Sequence, residues 1–553
     1  MDRSCMNLDL PLSRHRPLSP AAGAGRVRGR SIPPALALLA LVACGGGKTE
    51  PAAASAGIGR RVATAEPRAM LPSADGTRLA WLDGCRDARG QYLPHGTANC
   101  DLRVTPAAGG EPARVGGAVT TLPHGLAWSP EGATLVALSD YDYAAGSGTL
   151  LRWDAGGAVE VARDVTFHGF GPRGELGFVA GGHLSVLLPE VPSPRAIAGA
   201  DDVTSFELSP ADPAACAAGR ADRVRLLARS TRQSGGRLLA AGCDLAAAKP
   251  FAERTGEYRF APDGSAFAFT VEGKGGASLR LAPAAGGPVL TVGSGVQRFT
   301  FAPSGRSLAF MGDVSPGRLG NLYVVEPGRA AVRLAKEVGD LQWAARAPRL
   351  AWLEGYDPRV RAGVLGVGGP GLAPRTFGRN VTDLDLSTDG KFVAFLQHTT
   401  RGGYSVDLGL VAIDAPAGTA PMSVAQGVFG FAFSPDARWL YYRTRCTRNG
   451  EGCDLERVPA AGLAKDGKPE LIAQGMKSFE FDPRDPARVL VGWQRMDRQA
   501  LDLGVWQGGK LLRVEQNVLP GSARFLGPDS RRLGYAVIDP KRSGIYVAEP
   551  PGN

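Results

Sequence analysis

Nothing in this chain of 553 residues offers a membrane-spanning helix. Its main apolar stretch, Ser31 to Val42, runs to about a dozen residues, where a span needs about twenty. Sustained helical periodicity is also missing, which argues against helical bundles and alternating α/β folds. No Gly-x-Ser-x-Gly elbow, His-Glu-x-x-His helix or phosphate loop occurs, so the motif-borne hydrolase, metalloprotease and nucleotide chemistries have no foothold. Cys-x-x-Cys is absent, and the irregular cysteine spacings disfavour zinc. Basic residues exceed acidic ones by ten. That excess is spread out, with no basic cluster interleaved with aromatics, so nucleic acid is not an expected partner.

What the chain does have is a repeated corner. Eleven times a short apolar stretch meets a Pro-Asp-Gly-like turn and a second apolar stretch follows. Clear copies are Phe260-Ala-Pro-Asp-Gly264, Phe301-Ala-Pro-Ser-Gly305, Trp128-Ser-Pro-Glu-Gly132 and Phe433-Ser-Pro-Asp-Ala437. The corners fall at Ala74, Pro130, Pro172, Pro210, Pro262, Pro303, Ala345, Thr388, Pro435, Pro483 and Pro528, a mean spacing of about 45 residues. Proline presets φ at the second turn position, and glycine takes the conformation that other residues avoid. Flanking runs such as Phe299-Thr-Phe301 and Phe392-Val-Ala-Phe395 are rich in aromatic and branched residues, as strands are.

Two further elements complete each unit. An Asp/Asn-Leu strand recurs at Asp101, Asn321, Asp407, Asp454 and Asp502. A closing strand follows, as in Ala158-Val-Glu-Val161 and Ala331-Val-Arg-Leu334. Four strands at this period predict an all-β fold, a β-propeller of about eleven four-stranded repeats. Rings usually hold four to eight blades, so the expectation is two packed propellers: 60–297 with about five blades and 298–553 with about six. The last unit supplies only three strands, and Arg60-Arg-Val-Ala-Thr64 reads like the missing fourth.

Before the repeats comes an address. Arg26, Arg28 and Arg30 precede the apolar run, and Ala43-Cys44-Gly45 follows it. Leu41-Val-Ala-Cys44 resembles a bacterial lipobox, which implies a signal peptide over 1–43, a lipidated Cys44 and attachment to a membrane. Residues 44–59 are small and read as a flexible tether. With no Asp after the cysteine, the resemblance implies an outer-membrane lipoprotein of a Gram-negative cell, periplasmic or surface-facing. The six cysteines left after Cys5 and Cys44 suggest pairs Cys85–Cys100, Cys446–Cys453 and, by remainder, Cys216–Cys243. The expectation places each second cysteine directly before an Asp-Leu strand.

The combination Phe-Ser/Ala-Pro-Asp-Gly, aromatic strand, Asp/Asn-Leu-Tyr-Val resembles the WD40-like (PD40) repeat of TolB-type propellers, from Ala65 to the C-terminus. Such proteins work in multi-protein envelope assemblies, so the resemblance implies a protein-interaction scaffold whose partners are envelope proteins. Related propellers cap prolyl-oligopeptidase-like active sites. With about 25 residues after the last corner, no hydrolase domain is expected here. The alternative is a module for a small ligand or glycan. His124 and His168, each before a glycine near the start of innermost strands, are its candidate residues, weighed against a capped turn or a buried hydrogen bond. A propeller hydrolase or lyase built from scattered channel carboxylates is the third reading. No catalytic residue, cofactor or metal ligand is assigned from the sequence.

Overall fold

The computed structural model describes residues 58–550 apart from 87–97, 211–215, 217–222, 232–234, 315–318, 399–405, 417, 448–451, 463–467 and 495–499. The expected signal peptide, Cys44 and most of the expected tether therefore lie outside the described residues. Every named element among the described residues is a β-strand, and every strand pairing between them is antiparallel. The fold is all-β, with propeller-like sheets.

The corner chemistry explains why the chain turns where it does. In the Pro262 corner the Ala261 amide donates to the Ala266 carbonyl at 2.8 Å, and the Gly264 amide to the Ala261 carbonyl at 2.7 Å. The same two bonds recur at Ala302 and Gly305, at Ser387 and Gly390, and at Ser434 and Ala437. Position five of the motif needs a positive φ, 63° at Gly264 and 74° at Gly305, which glycine adopts at no steric cost. Ala437 holds the same turn at φ 61° with a side chain in the way. The Ala345 corner has lost both Pro and Gly, yet its Ala344 amide still donates to the Arg349 carbonyl at 2.9 Å.

Four strands follow one another in each sheet in sequence order. Ala69–Pro72, Arg78–Arg86, Asn99–Pro106 and Ala113–Thr120 form one such sheet; Arg298–Phe301, Leu308–Gly312, Asn321–Val325 and Val332–Ala335 form another. Five sheets are four-stranded, and three are larger. The larger ones are joined by slender links. Gly157–Phe170 pairs first with Ser147–Asp154 and then, by its other end, with Leu176–Ala180. Only Gly363 with Val381, and Val518 with Val537, tie the halves of the other two.

Second strands are the core. Ala266–Val271 and Leu308–Gly312 are buried at every residue, because both of their faces pack against neighbouring sheets. Fourth strands form the rim, as the exposed Leu372–Thr376 illustrates. Between sheets lie eleven apolar clusters, ten of them shared by two units consecutive in the chain. Ala80 and Leu82 meet Leu135 and Trp153 in one, for example. Another sets Ala268 and Leu279 against Phe299 and Phe310, so packing crosses residue 297, where the sequence reading divided two propellers. The circuit returns to its start: Leu79 and Trp81 of the first unit pack on Leu526, Ala536 and Ile545 of the last. Arg60–Thr64 pairs there with Gly544–Ala548 as a fourth strand.

Three disulfides reinforce the sheets: Cys85–Cys100, Cys446–Cys453 and Cys216–Cys243. The first ties a second strand to a third and the second ties the residues just after the strand Trp439–Thr444 to a third, where Asn99–Pro106 and Cys453–Pro459 carry the Asp-Leu signal. The third departs from expectation. Cys243 follows the third strand, Arg237–Ala241, because Asp244-Leu245 forms the turn into Ala248–Glu253. Disulfides of this kind belong to chains that fold in an oxidising, exported compartment.

Candidate binding face along the first strands

The residue four before each corner is buried in most units, as at Met70, Phe206, Phe299, Leu341, Leu384, Phe431 and Phe479. Strand alternation therefore turns the residues three and five before the corner to the other face. In five consecutive units those positions are polar: Ser205 and Glu207, Glu257 and Arg259, Arg298 and Thr300, Asp340 and Gln342, Asp383 and Asp385. Ser478 and Glu480 repeat the pattern near the end of the chain. The other units carry small or apolar residues there, such as Ala69 and Leu71 or Gly125 and Ala127. One arc of five consecutive first strands is polar, the Ser478 strand stands apart from it, and the rest is not.

Neighbouring units meet through this arc. Arg298 lies 3.6 Å from Asp340. The Gln342 side-chain amide donates to Asp385 at 2.9 Å, and the other Asp385 oxygen accepts from the Phe433 amide at 3.3 Å. Arg524 donates to Glu480 at 2.8 Å. Glu207 accepts from the Phe260 amide at 3.3 Å, and Ser205 shares a 2.8 Å hydrogen bond with the Tyr258 hydroxyl.

Burial outweighs these contacts for several groups. It lifts the Glu207 carboxyl to about 7, against the pull of Arg259. Glu257 and Glu480 are also raised by burial, against Arg259 and Arg298 in one case and Arg524 in the other. Glu257 is reached by solvent yet has enough protein around it to disfavour its charge, as expected for a concave wall. The Tyr258 hydroxyl is held up at about 12 by burial. Among the described residues no three His, Cys, Asp or Glu side chains are grouped so as to hold a metal.

The sequence-predicted histidines sit outside this arc. His168 lies on Gly157–Phe170 opposite Phe178, 7% exposed. Neither ring nitrogen makes a hydrogen bond of good geometry. Burial first, then the charge of His124, depresses it to about 4, and the nearby His124 main chain opposes the shift weakly. His124 itself is exposed, its ring edge-on to Tyr141 at 6.5 Å. Tyr141 is buried and packs on Tyr143 at 5.0 Å, and the Tyr143 hydroxyl donates to the Ala98 carbonyl at 2.7 Å. Tyr143 thereby joins two units, and Tyr141 is hidden from solvent. Sequence reasoning missed the polar arc, although its signal is a fixed offset from each corner.

No family model matches the chain, and no curated protein does. Solved structures resemble it. A eukaryotic initiation factor aligns at 12% identity over 69% of this chain and 96% of its own, with a TM-score of 0.39. An oligogalacturonate lyase in complex with manganese aligns at 14% identity over 59% of this chain and 96% of its own, TM-score 0.30. The Dos1 propeller aligns at 12% identity over 61% and 91%, TM-score 0.34. The propeller-like arrangement rests on the strand pairing and clusters described above.

Proposed function

We propose that the chain is an exported, lipid-anchored, TolB-like β-propeller that acts by holding another envelope protein and not by catalysis. In this reading eleven four-stranded modules form one ring, in place of two packed rings, since each apolar cluster joins consecutive units and the last joins the first. Cys44 keeps the ring at the outer membrane, on the periplasmic or surface side.

The observation that supports binding is the polar arc. Its polar side chains are tied across unit boundaries, Arg298 to Asp340 and Gln342 to Asp385, which makes a stiff patterned wall. Stiff walls recognise partners at small entropic cost. In-cell cross-linking followed by purification of the native lipoprotein tests it. One envelope protein recovered reproducibly, and reduced at least tenfold by Arg298→Ala with Asp383→Ala, is the expected result. A lone monomer under several cross-linking conditions overturns it.

A second reading has its own observation, the buried ring of His168, whose nitrogens make no hydrogen bond of good geometry. A small ligand or glycan at the His124–His168 seam would satisfy those nitrogens. Thermal shifts by an oligosaccharide panel that vanish in His168→Phe would favour it over scaffolding.

A further inference from the structure

We infer that Arg60–Thr64 is a latch loaded by the membrane anchor: the strand that closes the ring is the first strand among the described residues, so tension from Cys44 reaches it before any other described sheet. The latch geometry stands on its own, while the source of the tension rests on the lipid anchor proposed above.

Four register pairs hold the strand: Arg60 with Val547, Arg61 with Tyr546, Ala63 with Ile545 and Thr64 with Gly544. The ladder is irregular between Arg61 and Ala63, which shortens its continuous run to two pairs on either side. Fastenings outside the ladder are few. The Ile58 amide donates to the Val514 carbonyl at 3.2 Å, and the Arg60 guanidinium to the Ala108 carbonyl at 2.6 Å. At Gly59 a Cβ would fall 1.8 Å from the Tyr535 hydroxyl, so the entering chain is pressed onto the last unit before pairing begins.

Release of these five residues has large consequences. Gly544–Ala548 is buried at every position and would gain a free edge. Val62, Ala63 and Ala65 would leave the cluster they share with Leu79, Trp81, Leu526 and Ile545, which joins the first unit to the last. The seam would then rest on Leu79 and Trp81 against Leu526, Ala536 and Ile545, with the other ten clusters intact. Thirteen residues separate Cys44 from Ile58, a reach of at most about 45 Å. A partner that draws the ring further from the bilayer than this reach would pull on the latch directly.

Single-molecule pulling on the mature chain tests the latch without lipid. One handle is placed on the Cys44 thiol and the other on Lys274→Cys, an exposed position in a distant unit. The expected record begins with a low-force step of about 25 Å, the length of residues 58–64, ahead of any larger unfolding. In a variant with Arg60→Cys and Val547→Cys, cross-linked in register, that step disappears, while each single-cysteine variant keeps it. A first step of many tens of residues, or an early step unchanged by the cross-link, overturns the proposal. Mass spectrometry of native Cys44 reports separately on the anchor, so failure of the anchor and failure of the latch are told apart.

Discussion

Gly76, in the first corner, lies against Gly527, beside the last corner. A Cβ on Gly76 would meet the Gly527 main-chain nitrogen at 1.9 Å, and Gly76 sits at φ 66°. The two ends of the described chain therefore touch backbone to backbone, with the Arg532 guanidinium donating to the Gly76 carbonyl at 3.4 Å.

Gly76→Ala should accordingly destabilise the fold by roughly 3 kcal/mol, combining a left-handed side chain with overpacking against backbone. Urea unfolding of the full mature chain measures it. A loss under about 0.5 kcal/mol would mean that the two corners do not meet.

His168 sets an acid limit. Its folded value near 4 lies below the ordinary 6.5, so the unfolded chain takes up a proton that the fold refuses. Stability should be unaffected by this group above about pH 7, fall as pH drops through 6.5, and level off below 4. The total comes to roughly 3 kcal/mol. His168→Phe should flatten that limb of the stability–pH curve.

Glu207 acts in the opposite sense. Its folded value near 7 lies above the ordinary 4.5, so the fold favours the protonated carboxyl. Stability from this group is full below pH 4.5 and lost as pH rises towards 7, then constant. Glu207→Gln should raise stability at pH 7.5 and leave it nearly unchanged at pH 4. Equal effects at both values would mean that the burial is not felt.

The disulfides should rank by loop length, with separations of 27, 15 and 7 residues. Replacing both cysteines by alanine should cost about 3.5 kcal/mol for Cys216–Cys243, about 3 for Cys85–Cys100 and about 2.4 for Cys446–Cys453. Denaturant midpoints at constant slope check the order.

Much of this was readable because the corner is local chemistry. Phe260-Ala-Pro-Asp-Gly264 closes its turn with bonds among its own neighbours, and the strands on either side alternate as their side chains require. Even the degenerate Trp343-Ala-Ala-Arg-Ala347 keeps its place, since the flanking strands hold it. The Cys216–Cys243 pair followed from elimination, but its place did not. Asp244-Leu245 carries the third-strand signal, yet it follows the third strand, Arg237–Ala241, and lies in the turn into Ala248–Glu253.

The candidate site was harder to see. The polar character of Glu207, Glu257, Arg298, Asp340 and Asp385 is written in the residues, yet what they touch belongs to the next unit, some 45 positions away. His168 looks like any strand histidine in the sequence. Its burial opposite Phe178, with no hydrogen bond of good geometry to either ring nitrogen, shows only in the folded chain.

By itself, the sequence determined the module: where the chain turns, which runs form its strands, and which cysteines could join. These depend on contacts within one repeat, where chain geometry leaves little choice. The tertiary structure decided how the modules meet, that Leu279 packs on Phe310 across the expected break and that Thr64 pairs with Gly544. Each unit offers much the same apolar faces as the next, so nothing in one repeat states which neighbour it takes or after how many copies the circuit closes.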